Sequence, residues 1–141
     1  MKQALKVTAV SLAAFAVYLP VAYWLGRDFV PQPKPEGALV ERLNVITHSH
    51  RYAYVAQSYG TSPYADVDLD NQKSPVVLYE DLTPLGSPHS KRTEVEDFGL
   101  GRYYHSKLEG RPDSWRFFTF STSDNSDPRT NGRTYWAVVP R

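Results

Sequence analysis

WRFFTFS, residues Trp115 to Ser121, carries apolar side chains on both faces of an extended chain. Successive side chains of a strand point to opposite faces, so Phe118 and Phe120 share one face while Phe117 lies on the other. Aromatic residues on both faces predict a strand in the middle of a sheet. We expect this strand to pair with the terminal segment Thr134 to Val139, which alternates in a similar way.

Similar short runs, rich in Tyr and Val, recur through the last hundred residues and are separated by turns that contain Gly or Pro. Five or six such strands predict a mainly β fold, a small antiparallel β-sandwich or open barrel. The other predicted strands are Arg51 to Tyr59, Val76 to Glu80 with a short piece near Leu85 that pairs back, and Arg102 to His105. The segment Ala38 to Ile46 fits either a helix or a strand. One helical turn is expected at Lys91 to Asp97, capped by Ser90 and followed by Gly99.

The N-terminal segment VTAVSLAAFAVYLPVAYWL, Val7 to Leu25, is uncharged and apolar. A helix of this length spans roughly 28 Å, close to the ~30 Å hydrocarbon thickness of a bilayer. We therefore interpret residues 1–28 as a single N-terminal transmembrane helix, residues 29–37 as a Pro-rich spacer and residues 38–141 as an extracytoplasmic β domain.

The charges around this segment predict its orientation. Lys2 and Lys6 precede it, whereas the charges that follow it cancel. The positive-inside rule then places the N-terminus in the cytoplasm and the β domain in the periplasm, with the helix in a bacterial inner membrane. A cleaved signal peptide is the alternative, but it needs small residues before its cleavage site, and this segment ends with Tyr23 and Trp24.

Small residues recur along the predicted anchor, because Ala9, Ala13 and Ala16 are spaced at i, i+4 and i+7. A seam of small side chains lets a second membrane helix approach closely. Together with Tyr23 and Trp24 at the membrane interface, these residues are the predicted contacts with a partner helix.

The composition argues against several functions. Without Lys2 and Lys6 the chain carries 14 basic and 15 acidic residues, and nucleic-acid binding requires a basic surface. The absence of Cys removes disulfides, thiolate nucleophiles and Cys-ligated metals. No nucleophile elbow, paired-carboxylate cleft or phosphate-binding glycine loop occurs in its proper context. We therefore predict no enzymatic activity, no cofactor and no nucleic-acid partner.

STSDNSDPRTNGR, Ser121 to Arg133, is the most unusual polar stretch of the chain. Its carboxylate and amide oxygens are of the kind that Ca²⁺ prefers, which makes Asp124, Asn125, Asp127 and Asn131 weak metal candidates. The same residue types also bond to their own backbone in turns, and Asn131-Gly132 is a tight-turn pair. Turn formation is the favoured interpretation, so no metal is predicted.

The histidines offer a second weak metal pattern. His48 and His50 form an H-x-H pair that could project from one face of a strand, with His89 and His105 as further ligands. Surface or hydrogen-bonded histidines are the favoured interpretation, because this spacing is generic. The Asp66-x-Asp68-x-Asp70 series fails as a calcium loop because it lacks the Gly and the closing Glu.

Three segments resemble a small β module at the C-terminal ends of bacterial methyltransferases and glycosyltransferases that act on surface polysaccharides. They are SPVVLYEDLTPLGSPHS (Ser74 to Ser90), GLGRYYHS (Gly99 to Ser106) and FSTSDNSDPRTNGRTY (Phe120 to Tyr135). The resemblance implies a shared ligand face formed by His89, His105, Asp124, Asp127 and Arg129. It implies no transferase activity, because the chain carries no enzyme domain.

Two functions are consistent with these features. The first is a non-catalytic accessory subunit of a larger integral membrane complex, photosynthetic or respiratory, that the helix contacts. The alternative is a membrane-tethered glycan-binding module, in which exposed rings stack on sugars. The ring candidates are Tyr79, Tyr103, Tyr104 and Trp136.

Overall fold

The computed structural model describes residues 14–24, 26, 33–66, 73–107 and 116–141. The chain forms two compact units, Met1–Gln32 and Pro33–Arg141. In the first unit, residues 14–24 and residue 26 are helical and form α1. No helix within the described residues combines the length and the apolarity that crossing a membrane requires. Residues 1–13, 25, 27 and 28 of the predicted anchor, and residues 29–32 of the predicted spacer, lie outside the described residues.

Helix α1 exposes apolar side chains around its whole circumference. The exposed members are Phe15, Val17, Tyr18, Leu19, Val21, Tyr23 and Trp24. At 100° per residue these positions occupy every side of the helix. The described part of helix α1 therefore has no polar face.

The second unit is mainly β and consists of two four-stranded antiparallel sheets. The strands are β1 Leu39–Arg42, β2 Ile46–His50, β3 Ala53–Gln57, β4 Val77–Glu80, β5 Thr83–Pro84, β6 Tyr103–Lys107, β7 Arg116–Phe120 and β8 Tyr135–Val139. Sheet A has the order β1-β8-β4-β5 and sheet B the order β2-β3-β7-β6. The predicted mainly β, antiparallel fold is confirmed, and the two sheets are consistent with the sandwich alternative; the described residues form eight strands instead of the five or six predicted.

Strand β7 is central, as its two apolar faces predict, but its partners differ from the predicted one. It pairs with β3 and β6, whereas the terminal strand β8 lies in the other sheet between β1 and β4. The predicted pairing of β7 with the terminal strand is therefore wrong. Alternation specifies which side chains of a strand are buried, and two strands with the same alternation can face each other across a core instead of pairing.

The hydrophobic core lies between the inner faces of the two sheets. Its buried members are Leu43, Tyr54, Ala56, Val76, Leu78, Leu85, Tyr103, Phe118, Phe120, Tyr135, Ala137 and Val139. The rings of Phe120 and Tyr135 come from different sheets, and their centroids are 5.3 Å apart. Tilted aromatic pairs of this kind add packing energy beyond the buried area.

The ambiguous segment Ala38 to Ile46 contains strand β1 of sheet A and the first residue of strand β2 of sheet B. Residues 33–37, which end the predicted spacer, belong to the same compact unit as the strands. A Cβ on Gly37 would lie 2.5 Å from a methyl carbon of Val138, so this backbone approaches β8 as closely as Gly allows.

Helix α2, Arg92–Asp97, confirms the predicted helical turn and corrects its cap. The N-cap is Lys91, whose backbone N–H donates to the Glu94 carboxylate at 2.8 Å. The Ser90 hydroxyl instead donates to the Ser87 carbonyl. Gly99 follows the helix with φ +62°, the left-handed conformation that a terminal glycine supplies.

Candidate functional site

The outer face of sheet B carries a groove of about 370 Å³, which we call the Tyr59 groove. Outward-facing residues of β2, β3 and β7 line one part of it, and residues of β1, the β1–β2 connection and Tyr59 line the rest. The lining residues are Glu41, Arg42, Asn44, Val45, Thr47, Val55, Gln57, Tyr59 and Phe117. This volume is within the range of small-ligand sites, at its lower end.

Tyr59 is the most exposed aromatic residue of the β domain among those described, with 75% of its surface accessible. Hydrogen bonds to the Glu41 carboxylate hold its backbone in place. The Glu41 carboxylate accepts the Tyr59 N–H at 3.0 Å and the Gly60 N–H at 2.8 Å, and it also accepts the Ser58 hydroxyl. The ring is therefore presented to solvent by a backbone that is held in place.

A second cavity of about 310 Å³ adjoins the groove, because the two share Arg42 and Asn44. We call it the arginine cavity. It is lined by Arg42, Leu43, Asn44, Ile46, Pro128, Arg129, Arg133, Thr134 and Tyr135. Three of these nine residues are arginines and none is acidic, although carboxylates outside the lining form ion pairs with two of the three arginines.

Carboxylates outside the lining position two of the three arginines. Both carboxylate oxygens of Asp127 accept hydrogen bonds from Arg129. The Nε–H donates to Oδ1 and Oδ2, and Nη2 donates to Oδ2 at 2.6 Å. Arg133 donates from Nη2 to Asp124 at 2.7 Å and from Nη1 to Glu80 at 3.2 Å. Hydrogen bonds from Arg129 lower the pKa of Asp127 to about 2, and hydrogen bonds from Arg133 and Ser126 hold the pKa of Asp124 well below its ordinary value.

Arg42 differs from the other two. It lies on the edge strand β1, is exposed, and has no acidic partner within the described part of the chain. Its guanidinium is available to a ligand at the point where the groove and the cavity meet.

The polar loop Ser121 to Arg133 is organised by turns. Asp124, Asp127 and Asn131 each accept the backbone N–H of the residue two positions later, at 3.1, 2.9 and 3.0 Å. This is the Asx-turn pattern that competes with metal binding for the same oxygens. Asn125 takes the left-handed conformation, and its side-chain oxygen accepts the Leu100 N–H.

Glu80 ties this loop to the core. The carboxylate is buried at the end of β4 and accepts hydrogen bonds from Tyr135 at 2.8 Å, from Arg133, and from the Ser123 hydroxyl. Burial raises the pKa of Tyr135, and its hydrogen bond to Glu80 raises it further. The network fixes the loop that supplies Arg129 and Arg133 to the arginine cavity.

The residues of the predicted ligand face fall into two groups. His89 and His105 both contact Asp66. The Asp66 Oδ2 atom is 3.1 Å from His89 Nδ1, and the Asp66 N–H donates to the His105 carbonyl. Asp124, Asp127 and Arg129 belong to the loop beside the arginine cavity. Arg129 lines that cavity, whereas His105 is buried in the core.

The histidine metal pattern has no geometric support in the described residues. His48 and His50 are exposed on β2, but the strand pairing shifts register between them, so their spacing no longer guarantees a common face. Across the described ranges no group of three or more His, Cys, Asp or Glu side chains could hold a metal ion. Asp68 and Asp70 lie outside those ranges.

The ring candidates for sugar stacking differ in exposure. Tyr103 is a core residue with 2% of its surface accessible, so its proposed exposure is wrong. Tyr79, Tyr104 and Trp136 are half-buried. Of the predicted helix contacts, Ala16, Tyr23 and Trp24 lie on α1, whereas Ala9 and Ala13 are outside the described residues.

No protein-family model, curated protein or solved structure matches this chain. The site is therefore described by its own geometry. Sequence reasoning did not single out Tyr59 or Arg42. The available signal was local: Tyr59 stands just before Gly60, where the chain turns and a large side chain is readily left in solvent.

Proposed function

We propose that this chain is a non-catalytic glycan-binding domain that its N-terminal apolar segment tethers to a bacterial inner membrane. The observation that carries the proposal is the exposed Tyr59 ring beside a groove of about 370 Å³. An apolar ring that faces solvent next to a groove favours sugars over a flat protein partner.

The chemistry of the groove suits a sugar. Tyr59 and Val55 offer apolar surface for the C–H face of a pyranose ring, and Gln57 and Asn44 offer amide groups to its hydroxyls. A binding site of this kind needs a few convergent polar groups around an apolar contact.

The acidic residues of the groove support binding without hydrolysis. Glycoside hydrolysis ordinarily requires two carboxyl groups that flank the scissile bond. Glu41 is the one acidic residue of the described groove lining, and its oxygens accept two backbone N–H groups and the Ser58 hydroxyl. A carboxylate held in this way supports the loop instead of acting as a free acid or base.

The tether is supported by the apolar N-terminal segment. The sequence is uncharged from Val7 to Leu25, with Lys2 and Lys6 in front of it, and the described part of α1 exposes apolar side chains on every side. The periplasmic placement of the β domain follows from the same orientation. The resemblance to modules of surface-polysaccharide transferases is in keeping with a glycan ligand.

The proposal is tested with the full chain in a mild detergent on a glycan array. We expect retention of at least one class of oligosaccharide, and a loss of affinity of about two- to tenfold in Tyr59→Ala, since an aromatic contact contributes about 0.5–1.5 kcal/mol. Tyr52→Ala is the matched control, because Tyr52 is a partly exposed ring on the β2–β3 turn, outside the groove lining. Failure to retain any glycan, or equal binding by Tyr59→Ala, contradicts the proposal.

An accessory subunit of a larger membrane complex is the second candidate. The outer face of sheet A favours it, because Val40, Val77, Tyr79 and Trp136 form an apolar, half-buried surface there. The Trp136 indole N–H is buried and has no hydrogen-bond partner in the described residues. Native electrophoresis of gently solubilised membranes separates the two: migration within a larger complex supports the subunit, and migration alone opposes it.

A further inference from the structure

We propose that the arginine cavity binds the acidic group of a sugar, a carboxylate or sulfate, as a subsite next to the Tyr59 groove. This inference rests on the glycan-binding function proposed above and names the class of glycan. Arg42, Arg129 and Arg133 are the residues that would recognise the anion.

The guanidinium groups of the lining support the proposal. Arginine presents a planar set of five N–H donors that fits carboxylate and sulfate oxygens in pairs. The cavity lining holds three such groups and includes no acidic residue. The carboxylates of Asp124, Asp127 and Glu80 bond to the arginines from outside this lining.

These carboxylates leave donors free. Asp127 engages Nε and Nη2 of Arg129, and the Nη1 group of that guanidinium donates to no atom of the described residues. Arg133 donates hydrogen bonds from Nη1 and Nη2, and its Nε–H has no acceptor among the described residues. The carboxylates therefore fix the orientation of two guanidinium groups, and each group keeps an N–H that can donate to an anion. Fixed donors reduce the entropy cost of binding.

Arg42 makes the cavity continuous with the groove. It lines both, and its own charge is unpaired in the described part of the chain. A glycan that stacks one ring on Tyr59 can therefore reach Arg42 with the acidic group of the neighbouring sugar. The predicted ligand class is an oligosaccharide that contains uronic acid or sulfated residues.

The test measures the binding of trigalacturonate and of its neutral counterpart, galactotriose, to the detergent-solubilised full chain by isothermal titration calorimetry. Arg42→Gln removes one charge from the cavity without breaking an ion pair in the described structure. Arg141→Gln is the matched control, because Arg141 is exposed beyond the far end of β8 and lines neither site. We expect trigalacturonate to bind more tightly than galactotriose, about tenfold loss in Arg42→Gln, and no loss in Arg141→Gln.

Each other outcome is informative. Binding of galactotriose alone, unchanged in Arg42→Gln, overturns the acidic subsite and leaves glycan binding intact. Equal losses of trigalacturonate binding in both variants indicate general charge attraction and also overturn it. Retention of no oligosaccharide on the array removes the proposed function together with this inference.

Discussion

The imidazole of His105 stacks on the ring of Phe118, with centroids 4.0 Å apart and planes inclined by 15°. His105 is 2% exposed, its Nδ1 lies 3.2 Å from the Ser74 hydroxyl, and its Nε2 has no hydrogen-bond partner among the described residues. A charge at this position would have to be buried against an aromatic face. Burial accordingly lowers the pKa of His105 from 6.5 to about 4.

This pKa predicts that the β domain loses stability on mild acidification. Between pH 6.5 and about pH 4 the unfolded chain binds a proton at His105 that the folded chain does not, so stability falls as the pH falls through this interval. The expected loss is about 3 kcal/mol. It should be seen in urea unfolding curves recorded between pH 7 and pH 4.

Two variants isolate this effect. His105→Phe keeps a stacked ring without a titrating group, and it should flatten the pH dependence in that interval. His50→Gln removes an exposed histidine and should leave the slope unchanged. Equal slopes in the wild type and His105→Phe would show that another group is responsible. The lowered pKa values of Asp124 and Asp127 make stability fall mainly below about pH 4, because there the unfolded chain binds protons at these carboxylates that the folded chain does not bind.

Gly99 is expected to tolerate alanine much less well than Gly132. Both have positive φ, +62° and +76°. A Cβ at Gly99 would lie 2.0 Å from the Asn125 side-chain oxygen, whereas a Cβ at Gly132 would meet no atom within 4 Å. Gly132→Ala measures backbone strain alone, about 1 kcal/mol, and Gly99→Ala adds the displacement of Asn125, for roughly 3 kcal/mol in total. Equal melting temperatures for the two variants would contradict this.

Glu80 is expected to stabilise the loop that supplies the arginine cavity. Glu80→Gln leaves the buried end of β4 without the carboxylate that accepts from Tyr135, Ser123 and Arg133. We expect a loss on the order of 2 kcal/mol, measured by chemical denaturation. Tyr135→Phe removes one of these bonds and should cost about 1 kcal/mol. A Glu80→Gln variant as stable as the wild type would indicate that the network contributes nothing net.

Glu41 is expected to hold the backbone beneath Tyr59. In Glu41→Ala the Tyr59 and Gly60 N–H groups lose their acceptor, so their amide hydrogens should exchange at least several-fold faster. Hydrogen exchange followed by mass spectrometry measures this in a peptide that covers residues 58–61. Glu36→Ala, at an exposed residue, is the control. An unchanged rate of amide exchange in Glu41→Ala would show that the turn at residues 58–61 does not depend on the Glu41 carboxylate.

The strands and turns were largely predictable from local sequence. The apolar residues on both faces of Trp115 to Ser121 predicted a central strand, and β7 lies between β3 and β6. The pairing of a short piece near Leu85 with Val77–Glu80 was also predicted, and β5 forms it. Alternation and turn residues act within a few positions of each other, so a single sequence contains them.

The candidate site was not predictable in this way. Arg42 and Arg133 line one cavity although ninety residues separate them in the chain. The Tyr59 backbone is held beside its groove by a hydrogen bond that its N–H donates to Glu41 on β1. Nothing local distinguishes Arg42 from the other arginines. Its unpaired charge depends on which side chains the fold brings near it, and that is a property of the packing.

The sequence by itself determined that this chain has an apolar N-terminal segment followed by a β domain of short strands, because hydrophobic periodicity and turn chemistry are local properties. Only the tertiary structure decided that β7 and β8 lie in opposite sheets and that Arg42 and Asn44 line both the groove and the neighbouring cavity. Strand partners are selected by the joint packing of side chains on two inner faces, and this selection depends on contacts between distant segments.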